Sequence, residues 1–267
     1  MNVLITGAGG GLGRVFAMEC ARRGYDLFLT DISMPALEAI KIGVTRRYDV
    51  SVRTEVCDLT DPAAVRSMLD RVALTGLEFD MLLNVAGLDF EGGFTERSSM
   101  EISSIININI EATLNLTHEI LERRRENNPF YIVFVSSLAS MYPMPLKACY
   151  AASKRFLYDF GYALGSELAP SGVSVTTLCP AGIATTEESI AAIDAQGFWG
   201  GLTTNPVETT VRRTITKALH GRRVYIPGVL NWTLSAAGKL LPRATITWVI
   251  RSRWQKAHDL RTVEAGV

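Results

Sequence analysis

Val3-Leu4-Ile5-Thr6-Gly7-Ala8-Gly9-Gly10-Gly11-Leu12-Gly13 opens the chain with a short apolar run, a glycine-rich turn and the start of a helically spaced stretch, Leu12 to Arg23. A continuously apolar run suits a strand covered on both faces. Glycines between a strand and a helix let the backbone turn tightly and approach a phosphate. The helix N-terminus behind them offers free N–H groups and partial positive charge. In that context the run reads as a pyrophosphate cradle rather than as a bare tight turn.

Working outward, the same alternation recurs. Strands are expected at Asp26–Thr30, Ser51–Cys57, Phe79–Asn84, Phe130–Ser136, Val173–Cys179 and Arg223–Ile226. Helices are expected at Ala36–Tyr48, from Asp61-Pro62 (Asp as cap, Pro at the first helical position), and at Ser98–Asn127, Lys147–Leu168 and Pro206–His220. Strands alternating with helices imply crossovers and a parallel sheet, hence an α/β, doubly wound fold of seven strands with helices on both faces. Residues 1–228 read as a single catalytic domain and 229–267 as a helical extension packed on or beside it. Thr6, Asp31, Asp58, Asn84, Ser137 and Pro180 all fall at or just past the carboxyl ends of strands, the edge where such sheets bind ligands.

Composition narrows the class. The 267 residues are 48% hydrophobic and 20% charged, with formal net charge zero, so no global basic field argues for nucleic acid. Cys20, Cys57, Cys149 and Cys179 are scattered without metal-type spacing and read as free thiols of a reducing compartment, the cytoplasm. A strand beginning at Asn2 is expected to leave no room for a cleaved leader, and no apolar run reaches the ~18–20 residues needed to span a bilayer.

Asp31 ends the second strand, downstream of Gly11, where a carboxylate can accept hydrogen bonds from an adenine ribose and repel a 2′-phosphate. No Arg or Lys occupies positions 8–10 or 32, although the Arg14 side chain could reach the phosphate region. This selects NAD over NADP. Capping of the next helix is the alternative role for Asp31, and Ser33 could fill it instead. Farther on, Tyr150 and Lys154 stand one helical turn apart, thirteen residues after Ser137. An ammonium and an oxidised nicotinamide nearby would favour the phenolate. Ser137 could then hold a carbonyl oxygen while Tyr150 gives or takes its proton.

With these motifs in this order, the chain closely resembles the short-chain dehydrogenase/reductase family, of Rossmann-like fold, over about residues 1–228. The resemblance rests on TGAGGGLG at 6–13, Cys57-Asp58-Leu59, Asn84-Val85-Ala86-Gly87, Asn109, Ser137, Tyr150-Ala-Ala-Ser-Lys154 and Cys179-Pro180-Ala-Gly-Ile-Ala-Thr185. It implies an oxidoreductase in which Gly7, Gly11, Leu12, Gly13, Asp31, Asp58, Leu59, Asn84, Ala86, Gly87, Pro180, Ile183 and Thr185 bind the cofactor. Asp58 would contact the adenine amino group, and Ile183 and Thr185 the nicotinamide carboxamide. Lys154 would also bond the nicotinamide ribose, and Asn109 would hold a water linking Lys154 to solvent. Asn107 is close by, but the Asn-Ile-Glu-Ala-Thr run matches from 109. Val85 replaces a frequent second Asn, and Ala181 stands where the family usually has Gly.

The resemblance implies a lid at 186–205, with Gly197, Gly200 and Gly201 as hinges and Phe198, Trp199 and Leu202 as apolar cover. Met141, Tyr142, Pro143 and Met144 would form another wall. With no clustered Arg or Lys in either segment, an uncharged, apolar ketone or secondary alcohol is expected, steroid-like or lipid-like. Residues 229–257 interleave apolar and aromatic residues with Arg243, Arg251, Arg253 and Lys256. The favoured reading is a helix packed over the cleft or against a neighbouring subunit, with peripheral membrane contact as the alternative. The helix from Lys147 is apolar nearly all round, and the resemblance implies a homodimer or homotetramer formed through it and Ser98–Asn127. Three other functions compete: a dinucleotide-sensing regulator without turnover, which would not need the proton donor, a membrane-associated scaffold, and a membrane-associated acyl/ketoacyl reductase.

Overall fold

The structure, a computed structural model, describes residues 1–124, 128–185, 190–191, 201–238 and 241–252. Seven strands run β1 (Asn2–Thr6), β2 (Asp26–Asp31), β3 (Val52–Val56), β4 (Met81–Asn84), β5 (Phe130–Val135), β6 (Val173–Leu178) and β7 (Val224–Tyr225). They form one parallel sheet in the order β3-β2-β1-β4-β5-β6-β7. Strand order reverses between β1 and β4, which opens a crevice at their carboxyl ends, directly over the glycine turn.

Alternation along β1 sends Val3 and Ile5 to one face and Leu4 to the other, and each face has its own core. Val3 and Ile5 pack with Phe16, Ala17 and Cys20 of α1 (Gly11–Arg22), Leu37 and Val44 of α2 (Met34–Thr45), and Val211 and Ile215 of α7 (Val207–Leu219). Leu4 packs with Val65 and Met68 of α3 (Pro62–Leu74), Leu116 and Ile120 of α5 (Thr113–Glu122), and Leu157 of α6 (Ala148–Leu168). Asp61 caps α3, accepting from the N–H groups of Ala63 and Ala64. Ser33, not Asp31, caps α2, accepting from Ala36 N–H.

The expected single helix over Ser98–Asn127 is corrected. It runs as α4 (Ser99–Ile106), a π-helical segment over Asn107–Ala112, then α5, while 125–127 lie outside the described residues. The extra residue in the π turn accompanies a contact distant in sequence. Asn109 is drawn inward to bond the backbone of Leu88, which an unbroken α-helix at this register would not satisfy. Beyond β7, α8 (Val229–Gly238) and α9 (243–252) follow. A Cβ on Gly238 would overlap the Tyr142 ring, so α8 lies tight against the segment after β5.

Candidate active site

The glycine turn is packed so closely that several of its positions leave no room for a side chain. Gly7 has φ +58°, and a Cβ there would meet the backbone of Ala86 at 2.7 Å. A Cβ on Gly13 would overlap the Gly7 carbonyl, and one on Gly11 would overlap Thr185. β1 and β4 are tied across the crevice by Thr6, whose Oγ1 accepts from the N–H groups of Val85 (3.0 Å) and Ala86 (3.1 Å). The Asp31 carboxylate accepts from Gly9 N–H (2.8 Å) and Ser33 N–H (3.0 Å), which fixes a negative charge against the loop and leaves lone pairs over. Arg14 is exposed, and its Nε donates to the Gly9 carbonyl at 2.9 Å. A glycine cradle at a helix N-terminus with an anchored carboxylate at the next strand end fits a dinucleotide.

The other expected contacts differ in how far their side chains reach the crevice. Leu12, Gly87, Pro180, Ile183 and Thr185 line its cavity. The Asp58 carboxylate accepts from Thr60 N–H and Oγ1 at an exposed position, while Leu59 is turned into the core. Asn84 does not bring its side chain to the cleft: its amide donates to Thr117 Oγ1 at 3.1 Å, buried between sheet and α5.

α6 carries the reacting pair. Tyr150 and Lys154 line a cavity of about 550 Å³ with Ser137, at the mouth of β5. Ser137 Oγ accepts from Ala139 N–H at 3.1 Å, which orients it beside the phenol. Lys154 is 5% exposed; its Nζ donates to the Val135 carbonyl at 3.0 Å and lies 5.7 Å from the Tyr150 ring centroid. Asn109 is fully buried, accepts from Leu88 N–H, and donates to the Leu88 carbonyl and Ser153 Oγ. A Cβ on Gly87 would meet both Asn109 Oδ1 (2.9 Å) and Lys154 Nζ (3.1 Å), so these two polar groups share one corner. Asn107 is exposed.

The environment of the phenol and the ammonium acts on both. Burial first, then the Asp89 carboxylate, pushes the Tyr150 phenol well above its usual range, with the Ser137 hydrogen bond pulling the other way. The same burial pulls the Lys154 ammonium down to about 8, against the pull of Asp89. The chain by itself therefore holds a protonated phenol.

A correction concerns the pocket wall. Beside Leu138, Met144 and Ile183, the cavity is lined by Asp89 and Lys147, whose Nζ lies 2.6 Å from Asp89 Oδ2 and 3.5 Å from Glu91 Oε2. Lys147 Nζ is also 5.5 Å from the Tyr150 ring centroid. Sequence reading missed both residues. Lys147 stands three before Tyr150, a helical spacing that could have flagged it; Asp89 carries no such signal. Leu234 of α8 and Ile250 of α9 complete the lining. Most of the expected lid at 186–205, including Phe198 and Trp199, lies outside the described residues; Leu202 is half exposed.

The family model for short chain dehydrogenases matches residues 1–193. The chain belongs to the short-chain dehydrogenase/reductase family. Relatives of this short-chain dehydrogenase/reductase include a very-long-chain 3-oxoacyl-CoA reductase of Pyrenophora tritici-repentis, 34% identical over 178 residues, 64% of this chain and 52% of that one. The 17-beta-hydroxysteroid dehydrogenase type 3 of Homo sapiens is 30% identical over 184 residues, 68% of this chain and 59% of that one. The chain spans about half the length of the first of these. A short-chain dehydrogenase from Sphingobium yanoikuyae, solved with NADPH, superposes with TM-score 0.72 at 26% identity, covering 90% of this chain and 93% of that one. A 7beta-hydroxysteroid dehydrogenase superposes with TM-score 0.82 at 19% identity, covering 93% and 96%, a likeness of fold.

Proposed function

We propose that this short-chain dehydrogenase/reductase interconverts a secondary alcohol and a ketone with NAD(H), on an uncharged, apolar, steroid-like or lipid-like substrate. The observation that carries this reading is the Tyr150 side chain, sharing one cavity with Ser137 and one turn from buried Lys154, beside a glycine cradle that fits a dinucleotide. Gly7, Gly11, Leu12, Gly13, Asp31, Asp58, Leu59, Ala86, Gly87, Pro180, Ile183 and Thr185 would hold the cofactor, with Asn84 bracing the strand end beneath it. Bound there, a nicotinamide supplies or takes up hydride. Ser137 holds the substrate oxygen, Tyr150 donates its proton to that oxygen, and Lys154 and Asn109 connect the phenol to a polar corner behind it. A phenol that carries its proton can give it to a ketone oxygen, and in the reverse direction take it back. The anchored Asp31 charge supports NAD over NADP by repelling a 2′-phosphate.

The substrate class rests on the apolar lining, on the pairing of Lys147, a cation at the cavity wall, with Asp89, and on relatives named for 3-oxoacyl-CoA and hydroxysteroid substrates. Four free cysteines suit a reducing cytoplasm. The test is a panel of hydroxysteroids, long-chain 3-oxoacyl thioesters and polyols assayed with each nicotinamide cofactor. The expected result is turnover of the apolar ketones with a higher kcat/KM for NADH. Preference for polyols removes the apolar pocket, and preference for NADPH removes Asp31 from its role. Binding of NADH without turnover of any ketone would instead favour a sensor.

A further inference from the structure

Charge is distributed unevenly along this neutral chain. From Thr209 to His258 there is no Asp or Glu, while ten Lys and Arg fall in that span. The remaining residues therefore carry all 27 carboxylates against seventeen cations. Three of the four tryptophans, Trp232, Trp248 and Trp254, lie in the same stretch. On α8 and α9 the apolar residues do not all turn inward. Leu234 and Ile250 line the cavity. Val229 is 81% exposed, Trp232 59% and Trp248 70%, with Arg243 and Arg251 also exposed. Among the described residues no helix is long and apolar enough to cross a membrane.

We propose that α8 and α9 form a docking face for an anionic lipid bilayer, lying in its headgroup plane beside the mouth of the cavity. Arg243 and Arg251, with no carboxylate on either helix, select an anionic partner. The exposed tryptophans select lipid over nucleic acid, because an indole settles at the boundary of headgroup and acyl chain, whereas a phosphate groove rewards cations without an apolar body. A helix with one wall in a substrate cavity and the other in a membrane gives an apolar substrate a path that avoids water. Docking is independent of the reaction assigned above; that delivery path rests on it.

The test uses the full chain, sedimented with vesicles of phosphatidylcholine alone or mixed with an equal amount of phosphatidylglycerol, while tryptophan emission is recorded. The expected result is co-sedimentation and a blue shift with the mixed vesicles at low salt, lost in high salt. Replacing both Arg243 and Arg251 by Gln should weaken binding about 30-fold. Trp232→Ser with Trp248→Ser should weaken it at least about tenfold and abolish the blue shift. Both variants should keep the wild-type Tm and turnover of a short, water-soluble ketone. The proposal is overturned if the chain sediments with neither vesicle, or equally with both. It is also overturned if a DNA duplex rather than lipid retains it, or if the tryptophans become shielded without lipid as the mass doubles, which would make the face a contact between copies. Docking that persists in a chain with no ketone turnover supports the docking face and overturns only the reaction.

Discussion

Tyr150 is held by opposing influences: burial and the Asp89 carboxylate keep its proton on, and the Ser137 hydrogen bond loosens it. Removing the hydroxyl with Tyr150→Phe should lower kcat by about 10²–10⁴ while leaving NADH affinity, read by fluorescence titration, unchanged. Removing the opposing charge with Asp89→Asn should favour the phenolate. The rising limb of the kcat/KM profile for alcohol oxidation should then move to lower pH; a move to higher pH would contradict the placement of Asp89. Lys154 gives a test of stability. Its ammonium titrates at about 8 in the fold and near 10.5 when exposed, so between these values the unfolded chain binds more protons and stability rises with pH. The stability of wild type relative to Lys154→Met should therefore increase from pH 7 to pH 10, by up to about 3 kcal/mol, in denaturant unfolding. The reacting residues were legible because Ser137, Tyr150 and Lys154 sit at fixed spacing on a strand end and one helix face. The phenol's surroundings were not, because Asp89 reaches it from a loop 61 residues upstream, which no local periodicity records.

At the level of elements, α6 owes its position to small residues. A Cβ on Gly161 would overlap Thr177 Oγ1 and meet Phe134 at 3.1 Å, so the helix rests almost directly on β5 and β6. Gly161→Ala should lift it and destabilise the fold by about 1–3 kcal/mol, measured by urea unfolding, even though alanine is the better helix former. Strands and helix starts were readable from apolar runs and from Asp61-Pro62, because these signals are local. The break in the helix beyond Ser98 was not. Ile105 to Thr113 keeps an ordinary helical pattern, and the π turn places Asn109 against Leu88, a partner from the loop after β4.

For the whole molecule, alternation of strands and helices was enough to give the sheet, since parallel connections leave few topologies open. The pocket wall supplied by Leu234 and Ile250 was beyond that reasoning, because it depends on how a segment outside the sheet folds back. On the outer side of α6, Phe156 and Tyr162 are exposed, as are Met100 and Ile106 at α4. Light scattering should return a dimer or tetramer; a monomer at micromolar concentration would remove the pairing surface. The sheet itself offers little to a neighbour. β7 joins β6 through only two residue pairs, and the opposite border, β3, carries Arg53 and Glu55. A border so brief at one end and so charged at the other gives a stray strand almost no template to copy. Growth of the sheet from molecule to molecule is thereby discouraged, and concentrated stocks should resist cross-β fibre formation.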